Sequence, residues 1–280
     1  MTFGETFSPY LLQDVEGIYS VDANVYSTDN SLIDGATIHG SVIRPRNIVI
    51  TIADKESFPR HRNFLYFLFR PKTVGELIYH EIDKDFEERR SINYVVEKVE
   101  PDTEGNTRQI VISLLCADPF FSDMDDVIVD MVTWDKQFEF QHEFSPDKEE
   151  LGEKTAQKLI TVENDSTVGN IGMVITMDVE GNVTNPKMYH VESDSYIQLG
   201  TASYPLNLVY GDRVIISTVL NDKNAYLIRG GTTTVINEYI DENSDYIQLV
   251  SGTNTLRYSA SSGENSLLVR FSFRQKYLGV

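Results

Sequence analysis

The sequence predicts a mainly β protein of two β-sandwich-like domains, the N-terminal one carrying a single short helix. Three observations predict this. Short runs rich in Val, Ile, Tyr and Phe alternate with polar residues along most of the chain. Turn signals rich in Gly, Asn and Asp recur between those runs. Only one stretch, Asn63 to Phe69, carries apolar residues at helical spacing. At 280 residues the chain is too long for one small core and suits one large or two medium domains.

Taken in order, Tyr19 to Ser27 and Thr37 to Ile52 read as strands, with β-branched and aromatic residues in partial alternation. Asp34-Gly35 between them is a hairpin-turn signal, because glycine accepts positive φ without a Cβ clash. The helix comes next. Ser57 suits its N-cap, and Pro59 is tolerated in the first turn, where its missing N–H is not needed. Phe64, Leu65, Phe67, Leu68 and Phe69 follow at spacings of three and four, and Pro71 stops the helix. So broad an apolar surface has to be covered by a sheet or by another subunit. With the basic Arg60, His61 and Arg62 beside it, the candidate oligomer interface is Arg60, Phe64, Leu65, Phe67, Leu68 and Phe69. Gly75 to Tyr79 follows as a further apolar block. Arg90 to Val99 and Arg108 to Leu115 read as strands joined by a turn over Pro101 to Asn106.

Phe138, Phe140, His142 and Phe144 alternate with polar residues, predicting a strand with one apolar face. Asp147 to Lys154 is charge-dense and apolar-poor, an exposed connector with room for one helical turn. The predicted domains are therefore residues 1–145 and 159–280, joined by 146–158. From Leu159 onward, short strands are separated by turns at Glu180-Gly-Asn182, Tyr210-Gly-Asp212, Gly230-Gly231 and Ser251 to Asn254. Regular turn spacing without helical periodicity predicts a β-sandwich. Tyr196-Ile-Gln-Leu199 recurs as Tyr246-Ile-Gln-Leu249, which favours two similar strands of one sandwich over a duplicated domain.

Composition narrows the function classes. Hydrophobic residues make up 41%, too many for a disordered chain. No run approaches the roughly 20 apolar residues of a membrane span, so membrane insertion is not expected. The N-terminus lacks the basic start and apolar core of a signal peptide, and Cys116 is the only cysteine. Synthesis and folding in a cytosol are expected. The net charge of −19 argues against a direct grip on nucleic acid. It fits either solubility or a negative wall lining a passage that DNA crosses without sticking.

No reactive constellation stands out. None of His39, His61, His80, His142 and His190 lies three to five residues from another histidine, so zinc spacing is missing. His142 suits a hydrogen-bonded core histidine better than a ligand. There is no Gly-x-Ser-x-Gly elbow, Walker loop or His-Glu-x-x-His. Catalytic, metal and cofactor residues are accordingly not assigned, and no enzyme activity is expected. Asp118, Asp123, Asp125, Asp126 and Asp130 form the densest acidic group. Their spacing departs from the calcium loop, which favours structural turn residues over a cation site. Asp178 to Asn182 reads as a hairpin tip. Trp134, the lone tryptophan among 15 Tyr and 14 Phe, suits packing or an interface better than sugar stacking.

Several segments, in order, carry a resemblance. They are Ser31 to Ala36, the strand with Arg46-Asn47-Ile48, the Arg60 to Phe69 helix and Asp118-Pro-Phe-Phe121. Beyond them come Ile160 to Asn164 with Gly172, Asn185-Pro186, Tyr210 to Ile216, Leu249 to Asn254 and the ending Val269 to Val280. Together they resemble the distal tail proteins of long-tailed bacteriophages that infect Gram-positive bacteria. The resemblance implies an N-terminal β-sandwich with a helix that builds a homohexameric ring, and an outward-pointing galectin-like C-terminal sandwich. It implies a ring at the virion tail tip, between the major tail tube protein and the tail-associated hub protein. Such a ring anchors receptor-binding proteins and lets DNA pass without specific binding. No cofactor is implied, and no inserted carbohydrate module is legible. Galectin-like describes fold only and does not establish sugar binding. The alternative is a carbohydrate-binding host-adhesion module acting through the C-terminal sandwich.

Overall fold

The computed structural model describes residues 10–29, 34–54, 58–83, 86–101, 109–136, 152–156 and 158–280. The side chains of 54, 58–61, 83, 86, 132–136 and 152–156 are outside that description. The expected strand through Phe138, Phe140, His142 and Phe144, the N-cap Ser57 and the turn after Pro101 lie outside the described residues.

Residues 1–124 and 276–280 form one compact unit, and residues 125–275 the other. In the first unit the elements are β1 (Tyr10–Glu16), β2 (Ala23–Asp29), β3 (Ala36–Ile43), β4 (Arg46–Asp54), α1 (Phe58–Leu68), β5 (Val74–Asp83), β6 (Phe86–Pro101), β7 (Gln109–Cys116) and β8 (Phe121–Asp123). In the second they are β9 (Val127–Asp130), β10 (Val132–Lys136), β11 (Gly152–Ala156), β12 (Leu159–Asn164), β13 (Met173–Val179), β14 (Val183–His190), β15 (Ser195–Gln198), β16 (Asn207–Leu208), β17 (Arg213–Ser217), β18 (Asn224–Arg229), β19 (Thr232–Val235), β20 (Gly252–Ser262) and β21 (Leu267–Phe273). The last strand, β22 (Lys276–Tyr277), returns to the first unit.

The first unit is built on a seven-stranded antiparallel sheet in the order β1-β4-β7-β6-β8-β22, with β5 paired to β6. Its core follows the period of two of a strand. Ile48, Ile50 and Ile52 on β4 and Ile110, Ile112, Leu114 and Cys116 on β7 point to the same buried face. There they meet Leu65 of α1 and Phe69 just after it. The expected single strand over Thr37 to Ile52 is in fact two, β3 and β4, broken at Arg44-Pro45, because proline cannot donate to a ladder. Among the described residues β2 and β3 pair only with each other, and Gly35, just before β3, has a φ of +102°.

The second unit is a sandwich. One sheet runs β12-β20-β14-β15, with β16 on β14; the other runs β19-β18-β17-β13-β21-β9. Strand β13 buries alternate residues, Met173, Ile175, Met177 and Val179, and β21 buries Leu267, Val269, Phe271 and Phe273. These side chains form one cluster with Met188, Ile197, Leu256 and Tyr258 of the opposite sheet.

The division between the units differs from the predicted 1–145 and 159–280, and two short strands account for the difference. β9 pairs with β21, and Met131 beside it is fully buried in the sandwich core, so the second unit starts at 125. β22 pairs with β8, so the last residues belong to the first unit. The predicted connector contains β11, which pairs with β10 as a hairpin. Tyr196 to Leu199 lies mainly in β15. Tyr246 to Leu249 stays off the ladders apart from a bridge of Leu249 to Ile171, although Ile247 and Leu249 are as buried as Ile197 and Leu199.

Candidate interaction surfaces

The helix α1 divides its apolar residues between two directions. Leu65 and Phe69, four apart, are buried against the sheet, and Leu68 packs partly against the same core. Phe64 and Phe67, three apart, face outward, and Phe67 is 82% exposed. Of the predicted interface set, Phe64 and Phe67 are therefore available to a partner, while Leu65 and Phe69 are committed to the core. The Arg60 side chain lies outside the description.

A second surface was not predicted as one. No residue of β2 is buried, and of β3 only Ile43 is even half-covered. Val25, Tyr26, Ile38 and Val42 are all exposed large apolar residues, with Ile38 at 68%. Val25 and Tyr26 are neighbours, so they point to opposite faces of the hairpin. The sequence signal was present: apolar residues at both parities of a strand, which a half-buried strand does not need. A third row, Val74, Ile78 and Ile82, lies along one face of β5 and is exposed as well.

The residues that carry chemistry are engaged as structural locks. Asn164, fully buried, donates to the carbonyls of Gly169, Leu249 and Val250 at 3.1–3.3 Å and accepts from the Ser166 N–H at 3.0 Å. Asn185, at φ +51°, accepts from Leu206 N–H at 2.9 Å. A Cβ on Gly172 would stand 2.5 Å from Val219 Cα, so only glycine fits there. Asp212 accepts Nε and Nη2 of Arg229 at 2.9 and 2.6 Å and the Val209 N–H at 2.8 Å. Arg229 holds the Asp212 carboxyl below the usual carboxylate range, burial acting against it. Asn164, Gly172, Asn185 and Asp212 each belong to a segment singled out in the sequence, and Arg229 does not.

Buried His190 stands beside three polar groups, Ser193 Oγ at 2.6 Å from Nδ1, and Asn254 Oδ1 at 2.9 Å and Glu192 Oε2 at 3.4 Å from Nε2. The Asn254 amide donates to the Val250 and Gly252 carbonyls. Its oxygen is thus the atom offered to His190, and Nε2 donates. The group ties the turn after β14 to the turn before β20. The acidic group is likewise dispersed. Asp118 pairs with Lys276, Asp126 with Arg274 and Asp130 with Arg270, and Asp123 accepts from the Tyr277 hydroxyl.

In fold the chain is similar to solved phage tail and baseplate structures. SPP1 Dit, described as a paradigm of the hub adsorption apparatus in phages infecting Gram-positive bacteria, superposes with a TM-score of 0.65 at 14% identity. The match covers 96% of this chain and 94% of that one. A chain of the phage P2 baseplate, in its activated conformation with calcium, superposes with a TM-score of 0.50 at 11% identity, over 98% of this chain and 93% of the other. No curated protein sequence matches significantly. Residues 165–277 match the family model of siphovirus-type tail components, C-terminal domain.

Proposed function

We propose that the protein is a structural distal tail protein that forms a homohexameric ring at the virion tail tip. The ring joins the major tail tube protein to the tail-associated hub protein and anchors receptor-binding proteins. The observation that carries this reading is the full-length coincidence of both units with SPP1 Dit, together with the family match of the second unit. Self-association is supported by the first unit, where the β2–β3 hairpin and Phe64 and Phe67 of α1 leave apolar side chains uncovered in the single chain. An isolated two-stranded hairpin is at best marginally stable in water, so a partner that covers it stabilises it. The net charge of −19 fits a lumen wall with surplus carboxylates, which repels phosphate at close range and lets DNA pass. No enzymatic role is proposed, since the buried Asn, Asp and His side chains described above are committed to turns.

The test is negative-stain electron microscopy of the purified protein, alone and mixed with the tail tube and hub proteins. A six-fold ring is expected in at least one of these samples. A monomer that persists in the mixture rejects the reading.

A further inference from the structure

Among the described side chains of the second unit most cations are paired with a carboxylate, Lys223 over the Tyr246 ring being an exception. Lys158 pairs with Glu264, Arg213 with Asp178, Arg229 with Asp212, Arg270 with Asp130 and Arg274 with Asp126. Lys187 and Arg257 do otherwise. Among the described residues neither has a carboxylate within ion-pair distance, and both stand on tyrosine rings. The Lys187 ammonium lies 3.4 Å from the ring centre of Tyr196 and 4.3 Å from that of Tyr189. The Arg257 guanidinium lies 4.7 Å from the ring centre of Tyr189. The ladder registers put these residues on one outer face, with Tyr189 opposite both Tyr196 and Arg257, and Lys187 opposite both Gln198 and Ser259. On β14 and β15 they alternate with the buried Met188 and Ile197.

In a chain of charge −19, two cations without acidic partners on adjacent strands are a local positive site. The tyrosines orient the cations by attraction to the ring face and offer apolar surface to C–H groups. Two carboxylates at one end of the face are engaged, Glu163 by the Thr253 hydroxyl and Glu192 by the Thr255 N–H. An anion would thus seat towards Lys187 and Ser259, away from that acidic edge.

We propose that this face binds a phosphorylated polyol or sugar, its phosphodiester on Lys187 and Arg257 and its carbon skeleton against Tyr189 and Tyr196. The proposal does not depend on ring assembly, because the site lies wholly within one sheet of one unit. The test is calorimetric titration of the full chain with a glycerol-phosphate oligomer. Uncharged polyglycerol and tetraglutamate serve as comparison ligands. Lys187→Met with Arg257→Met keeps the apolar stems and removes both charges. It is expected to weaken glycerol-phosphate binding about tenfold or more, and Tyr189→Ala to weaken it several-fold. Lys223→Ala, which removes the cation over Tyr246 in the same unit, is expected to leave binding unchanged. Raised salt should weaken the wild-type interaction. Circular dichroism checks that each variant is folded. Absence of saturable binding at millimolar ligand, equal binding by the double variant, or equal capture of tetraglutamate overturns the proposal.

Discussion

Arg46 and Tyr258 are both buried polar side chains, and they are expected to respond to mutation in opposite ways. The Arg46 guanidinium donates to the carbonyls of Pro119 at 2.8 Å, Gly17 at 2.9 Å and Ile18 at 2.8 Å, and to that of Leu278. It also lies over the Phe121 ring. Burial lowers its pKa from the ordinary arginine value, yet an arginine remains charged at any physiological pH. Arg46→Ala would leave buried carbonyls without a donor, and a loss of about 3 kcal/mol in denaturant unfolding is expected. The Tyr258 hydroxyl, by contrast, is fully buried without a hydrogen-bond partner among the described residues. Burial, and after it the Glu264 carboxylate, push its pKa up. Tyr258→Phe removes an unsatisfied group at no cost in packing, so stability should stay level or rise by about 1 kcal/mol. A clear loss on Tyr258→Phe would mean that the hydroxyl has a partner after all. Neither role was legible in the sequence, where Arg46 was only a motif residue and Tyr258 one aromatic among many. Hydrogen-bond satisfaction depends on carbonyls brought in from distant parts of the chain, as Leu278 is brought to Arg46.

At the scale of the element, α1 separates stability from association. Leu65→Ala opens a cavity between helix and sheet and should cost about 3 kcal/mol. Phe67→Ser touches a side chain that is 82% exposed and should change stability by no more than about 0.5 kcal/mol. If the outer face of α1 meets another copy, Phe67→Ser should still reduce the ring population in light scattering. A variant that assembles as the wild type does would remove α1 from the interface. The helix itself, and the strands with Ile48, Ile50, Ile52 and Ile110, Ile112, Leu114, were legible because each has a single period and a single buried face. The split of the helix stripe was not, because spacings of three and four fit either direction until the covering sheet is known. β5 was also obscure: its even positions Val74, Ile78 and Ile82 are apolar but exposed, so the usual rule points to the wrong face. β9 and β22, four and two residues long, are too short to carry a periodic signal.

Those two short strands decide how the whole molecule divides. The chain enters the second unit at 125 and leaves it at 275, so both ends of that unit connect to the first. A cut placed by charge density alone, at residue 159, would strip β9 from the edge of β21 and remove Met131 from the sandwich core. It would also leave attached a terminal segment whose partners lie elsewhere. Lys276 pairs with Asp118, Tyr277 donates to Asp123 and lies against the Arg90 guanidinium, and Arg90 reaches the Gly279 carbonyl. Three fragments test this division by urea unfolding and circular dichroism. Residues 125–275 should unfold in one cooperative transition. Residues 159–275 should be less stable by about 3 kcal/mol or more, since losing the fully buried Met131 alone leaves a cavity of the size that costs this much. Residues 159–280 should gain nothing from the added tail. Equal stability of 125–275 and 159–275 would show that β9 and Met131 are accessories to the sandwich and return the boundary to the charge-dense segment.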